Sequence, residues 1–143
     1  MVTDITSEEE KESIEKTIAE STDNVRQHME KAIELYSAKP KPDIRNSIKE
    51  AITAVEAACR ELTGENTLGG AIKKLESKGV ILQDRLKASI IQMYAYTNQP
   101  DTGIRHALMD PEGRYVPTKD EAYFMLISCS AFINYLRLKV IKP

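Results

Sequence analysis

The sequence predicts an all-α protein, an antiparallel bundle of four to five helices, and three observations carry that prediction. Apolar residues recur at spacings of three and four over most of the chain, which lines one face of a helix. The stripes are separated by helix breakers: "KPKP" at 39–42, Gly64, Gly79 and a segment at 98–118 with three prolines and two glycines. The one strand-like run, "VILQ" at 80–83, has no second strand to pair with.

Ser7 and Glu10 have the spacing of a capping box, in which side chains satisfy the free N–H groups of a helix start. A helix is expected from about 8 to 38. Its first half offers only Ile14 and Ile18 before polar "AESTDN", and is expected to be loosely held or protruding. Its second half repeats Val25, Met29, Ala32, Ile33 and Tyr36. Asp43 can cap the next helix, whose stripe runs Ile44, Ile48, Ala51, Ile52, Val55, Ala58, Cys59 and Leu62 to a stop at Gly64. Asn66 or Thr67 caps a short helix built on Leu68, Ala71, Ile72 and Leu75 and closed by Gly79. "VILQ" leads into a helix that uses Leu82, Leu86, Ile90, Met93 and Tyr94 and runs to about Tyr96.

Thr118 and Glu121 form a second capping box, followed by "AYFMLISCSAFINYLRLKV". This helix is apolar on nearly every face. Such a helix is central, or is covered on one side by its own domain and on the other by a partner chain. A homodimer through this helix or the 43–63 helix is therefore expected, with Ile48, Val55, Leu126 and Phe132 in the core.

Residues 1–20 hold seven acids against two bases, while the rest holds 15 acids and 18 bases. A mildly basic body behind an acidic head is not the dense basic face of a dedicated nucleic-acid binder. The acidic start is unlike a signal or transit peptide, and no apolar run reaches the roughly 18 residues of a membrane span. Cys59 and Cys129 sit in apolar helical patterns without zinc spacing or a disulfide framework. They read as reduced core residues of a cytoplasmic protein.

The catalytic inventory is small. His28 lies in "NVRQHMEK" on a polar helix face and reads as solvated. "TLGGAIKK" lacks the phosphate-loop spacing, and no metal-binding pair of histidines or cysteines is present, so no metal or cofactor is expected. The segment "NQPDTGIRHALMDPEGRYVPT" is different, because it places Arg105 beside His106. Asp101 could cap a helical turn there, and a helix N-terminus favours anions. Arginine adds a planar fork for phosphate oxygens, and histidine can move a proton near neutrality. The structural alternative pairs Arg105 with Asp101 or Asp110 and bonds His106 to a backbone carbonyl. If the helices alternate in direction, Arg45, Arg105, His106, Arg114 and Lys119 gather at one end as a phosphate- or RNA-binding set, with Lys39 and Lys41 nearby.

The stretches "RNSIKEAITAVEAACRELTGENTLGGAIKKLESKGV", "YAYTNQPDTGIRHAL" and "DEAYFMLISCSAFINYL" resemble a HEPN domain (higher eukaryotes and prokaryotes nucleotide-binding). Within that superfamily they are most similar to the domains of AbiJ-like abortive-infection proteins of bacteria. The resemblance covers about residues 30 to 140, so 1–29 reads as an acidic helical extension and 30–143 as the HEPN-like domain. It implies an all-α bundle, often homodimeric. It also implies one of two activities. Many HEPN proteins are metal-independent ribonucleases, in which an arginine and a histidine assist attack of the RNA 2′-hydroxyl on the adjacent phosphate. Here that role would fall to Arg105 and His106. Other members only bind RNA or nucleotide, or serve a neighbouring effector domain or protein. The usual motif separates arginine from histidine by four to six residues. Here Gln99, Pro100 and Asp101 occupy the positions where that arginine would stand.

Overall fold

A computed structural model describes residues 8–95 and 116–141. The described residues form six helices and no strand: α1 (Glu8–Glu20), α2 (Asp23–Tyr36), α3 (Ile44–Thr63), α4 (Leu68–Ser77), α5 (Asp84–Ala95) and α6 (Lys119–Ile141). The protein is an all-α helical bundle.

The expected 8–38 helix is broken at Ser21–Thr22. Thr22 adopts extended backbone at φ −67° and ψ 167°, and its carbonyl accepts from Arg26 N–H at 2.9 Å to open α2. The run "STDN" explains the break, because short polar side chains compete for backbone hydrogen bonds and favour helix starts. The break lets α1 fold back rather than project. Ile14 and Thr17 are fully buried, so α1 is a packed element and not a loose extension. The boundary at 29/30 falls inside α2.

Most of the expected stops and caps have local causes. Asp43 accepts from Asn46 N–H at 3.4 Å, and Gly64 ends α3 at φ 84°, a left-handed conformation that costs glycine little. Thr67 caps α4 by accepting from Gly70 N–H at 3.0 Å. Residues 80–83 are not yet helical; Gln83 Oε1 accepts from Leu86 N–H at 2.9 Å, and α5 starts at Asp84. Val80 and Leu82 are buried there, whereas Ile81 is 86% exposed and Leu86 faces solvent rather than the core. At Thr118 the second capping box forms: its N–H and its Oγ1 both donate to Glu121 Oε1, at 2.6 and 2.7 Å. Ser7, the head of the first box, lies outside the described residues.

The core lies between α2, α3 and α6, with α1 packed along α6. Ala51, Ala54, Ala57 and Ala58 are all buried on α3, and such small side chains let neighbouring helices approach closely. Ser47 on α3 donates to the Ala32 carbonyl of α2 at 2.7 Å, so this buried hydroxyl is satisfied. Ile48, Val55 and Leu126 are buried as expected; Phe132 is half-buried, beside Leu82 and Ile90. Burying a Val, Leu, Ile, Phe or Met side chain contributes about 1.5–3 kcal/mol, so this shared layer dominates stability.

Direction follows from the contacts. Ser13 meets Ser130 and Ser21 meets Arg137, so α1 runs parallel to α6. His28 meets Glu50 and Thr22 meets Glu61, so α2 runs antiparallel to α3. Met93 lies near Phe124 while Leu82 lies near Leu136, so α5 runs antiparallel to α6.

Candidate functional site

This arrangement brings the starts of α3 and α6 to the same end of the bundle. Lys41, Pro42, Asp43, Ile44 and Arg45 on one side, and Val116 and Pro117 on the other, line one open concavity. The end of α2 joins them: Lys119 Nζ lies 4.9 Å from the centre of the Tyr36 ring, a cation–π contact. The end of α5 reaches the same region, since Met93 lies near Glu121 on the first turn of α6.

Of the residues singled out from sequence, Arg45 and Lys119 are therefore placed at one end, with Lys41 beside Arg45. Arg45 is half-buried and engaged; Lys41 and Lys119 are exposed. Arg105, His106, Arg114 and Asp101 lie outside the described residues.

Two helix N-termini converge here, and each carries partial positive charge. Both are already capped from within the chain. Asp43 Oδ2 also accepts from Asn46 Nδ2 at 2.9 Å, which ties its second oxygen to the first turn of α3. The hydrogen bond from the Thr118 backbone holds the Glu121 carboxyl below its ordinary range. What remains for a ligand is an open, largely apolar concavity whose charged lining residues are Lys41, Arg45 and the capping Asp43, with Lys119 close by.

Four other titratable side chains among the described residues have structural surroundings. Burial pushes the thiols of Cys59 and Cys129 up to about 12, so at neutral pH they are protonated and poor nucleophiles. Lys87 is raised by its 2.9 Å hydrogen bond to Glu76, which ties α5 to α4. His28 is not simply solvated: its Nδ1 sits 2.7 Å from Glu50 Oε1, half-buried between α2 and α3.

Sequence reasoning missed a polar seam between α1 and α6. Thr17 Oγ1 donates within reach of the Ser130 carbonyl at 3.2 Å and Asn134 Oδ1 at 3.1 Å. Asn134 Nδ2 donates to the Ser13 carbonyl at 3.2 Å. Arg137 donates to Asn134 Oδ1 at 2.7 Å and to Ser21 Oγ at 2.9 Å, and lies 3.8 Å from Glu20. A cavity of about 130 Å³ beside Arg137 is lined also by Glu20, Glu61 and Ile133. The guanidinium is occupied by these partners, so the seam fixes how α1 lies on α6. Asn134 within an otherwise apolar helix was the available signal.

Among the described residues, no group of three or more His, Cys, Asp or Glu side chains could hold a metal ion, and no helix is long and apolar enough to cross a membrane. No family model, curated protein or solved structure matches the chain.

Proposed function

We propose that this chain is a HEPN-like, cytoplasmic module of a bacterial phage-defence (abortive infection) system. It self-associates and binds RNA or nucleotide phosphate without cleaving it, on behalf of a neighbouring effector. The resemblance supplies the class. The observation that carries the binding reading is the gathering of Lys41, Arg45 and Lys119 where α3 and α6 begin. Val116 lies at that end, and in the sequence it directly follows the 96–115 segment that carries Arg105, His106 and Arg114. Phosphate would be held by charge-assisted bonds from Arg45, Arg105, Arg114 and Lys119, with Asp101 orienting the turn.

One feature favours a second reading, a metal-independent ribonuclease. The adjacent Arg105 and His106 combine an anion clamp with a proton-transfer group. A single assay separates the two: purified protein with labelled single-stranded RNA in excess chelator. The module binds without cutting. Arg45→Ala and Arg105→Ala each weaken binding by roughly 10- to 100-fold, since a charge-assisted contact contributes about 1.5–3 kcal/mol. Chelator-resistant cleavage that disappears in His106→Ala, with binding retained, establishes the ribonuclease instead. Neither binding nor cutting by the wild type ends both readings.

A further inference from the structure

α6 presents an apolar face to solvent on the side opposite the core. Phe124 is 56% exposed and Leu138 47% exposed, and Ala131 between them is also exposed. Ile127 and Tyr135 border the same face and are only half-buried. Phe124 and Leu138 stand seven positions from Ala131 and Ile127 and Tyr135 stand four, so the spacing of the face is the same in both directions from its centre. The charges of the helix are not: Lys119, Asp120 and Glu121 open its first turn, a net excess of one acid, and Lys139 lies in its last.

We infer that α6 pairs with α6 of a second copy in antiparallel orientation, with Ala131 at the twofold axis. The pattern selects this occupant. An isologous contact requires a patch that is complementary to itself. Turning one copy about Ala131 lays Phe124 against the partner copy's Leu138 position, and Ile127 against its Tyr135 position. The same operation sets Asp120 and Glu121 of the first turn near Lys139 of the other copy's last turn, and it opposes the two helix dipoles. A parallel pairing would instead align like charges. Alanine at the centre lets the backbones approach closely. A seven-residue spacing drifts slightly around a straight helix, which gives a left-handed crossing of about +20°. The inference rests on the self-association in the reading above and supplies its geometry.

Cysteine cross-linking tests it in the intact protein. Cys59 and Cys129 are buried with thiols raised to about 12, so they stay silent under mild oxidation. Ala131→Cys adds one exposed thiol at the proposed axis, and a disulfide needs Cα atoms within about 7 Å. Expected are a dimer by light scattering at micromolar concentration and rapid covalent dimer from Ala131→Cys. A mixture of Phe124→Cys and Leu138→Cys proteins cross-links, whereas Phe124→Cys alone stays at the level of Lys49→Cys, an exposed control on α3. A monomer, or a Phe124→Cys protein that cross-links to itself as fast as Ala131→Cys, overturns the inference. A covalent Ala131→Cys dimer that binds no RNA supports the pairing and overturns only the RNA-binding reading.

Discussion

α3 and α6 run side by side in the same direction through the centre of the bundle, and their inner faces are equally dry. Their outer faces are not alike. α3 turns Lys49, Thr53 and Arg60 outward, while α6 turns Phe124, Ala131 and Leu138 outward. The first helix is finished by its own domain, because its stripe matches the surface that its neighbours cover. The second carries apolar surface that the described residues leave exposed. A helix apolar all round thus holds two kinds of position, and the sequence alone does not separate them.

The largest losses are expected from the interior of the two helices. Ile52 on α3 and Leu126 on α6 are both nearly inaccessible, at 2% and 0% exposure. Truncating either to alanine removes the same class of buried contact and should cost about 2–5 kcal/mol in denaturant unfolding. Comparable losses would show one shared core. A loss below about 1 kcal/mol for Leu126→Ala would mean that α6 is not a central helix.

The next largest effect tests the polar seam that joins α6 to α1. Asn134→Ala removes the amide that links α1 to α6 and leaves Thr17 and Arg137 without that partner. Thr17 keeps the Ser13 and Ser130 carbonyls and Arg137 keeps Ser21 and Glu20, so the loss is that of net hydrogen bonds, about 0.5–1.5 kcal/mol each. The α1 amides should also lose hydrogen-exchange protection before the α3 amides do. Unchanged α1 protection in Asn134→Ala would show that apolar packing at Ile14 alone holds α1.

The contrast also explains what was legible in the sequence. The α3 pattern gave both its limits and its buried face, since Asp43, Gly64 and the stripe between them are local signals. At Ser21–Thr22 the cap-forming residues were visible. Their consequence, a reversal that lays α1 on α6, depends on contacts more than 100 positions apart, such as Thr17 with Asn134. The same limit applies at the candidate site. Arg45 and Lys119 are distant in sequence, and the alternation of helix directions was needed to bring them to one end. His28 was read as solvated because its partner Glu50 lies on another helix.

A smaller effect is expected on the outer face of α6. Phe124→Ser should change the unfolding free energy of the monomer by no more than about 0.5 kcal/mol, as for other surface positions. It should nevertheless abolish self-association measured by light scattering. If Phe124→Ser destabilises as much as Leu126→Ala, the outer face of α6 is interior after all, and its likeness to α3 is restored.

The smallest expected effect concerns how α6 begins. Glu121 is the acceptor for both the N–H and the hydroxyl of Thr118, and the backbone bond is the main cause of its lowered pKa. A carboxylate held below its ordinary value of 4.5 in the folded state stabilises the fold above the unfolded pKa. That contribution fades as pH falls through the lowered folded value. Glutamine can keep the capping geometry but does not titrate there. Glu121→Gln should therefore fold at neutral pH, and its stability should fall less steeply than that of the wild type as the solution is acidified below about pH 5. Circular-dichroism unfolding at a series of pH values reads the slope directly. Identical slopes for the two proteins would mean that the capping box at Thr118 holds α6 by its geometry and not by its charge.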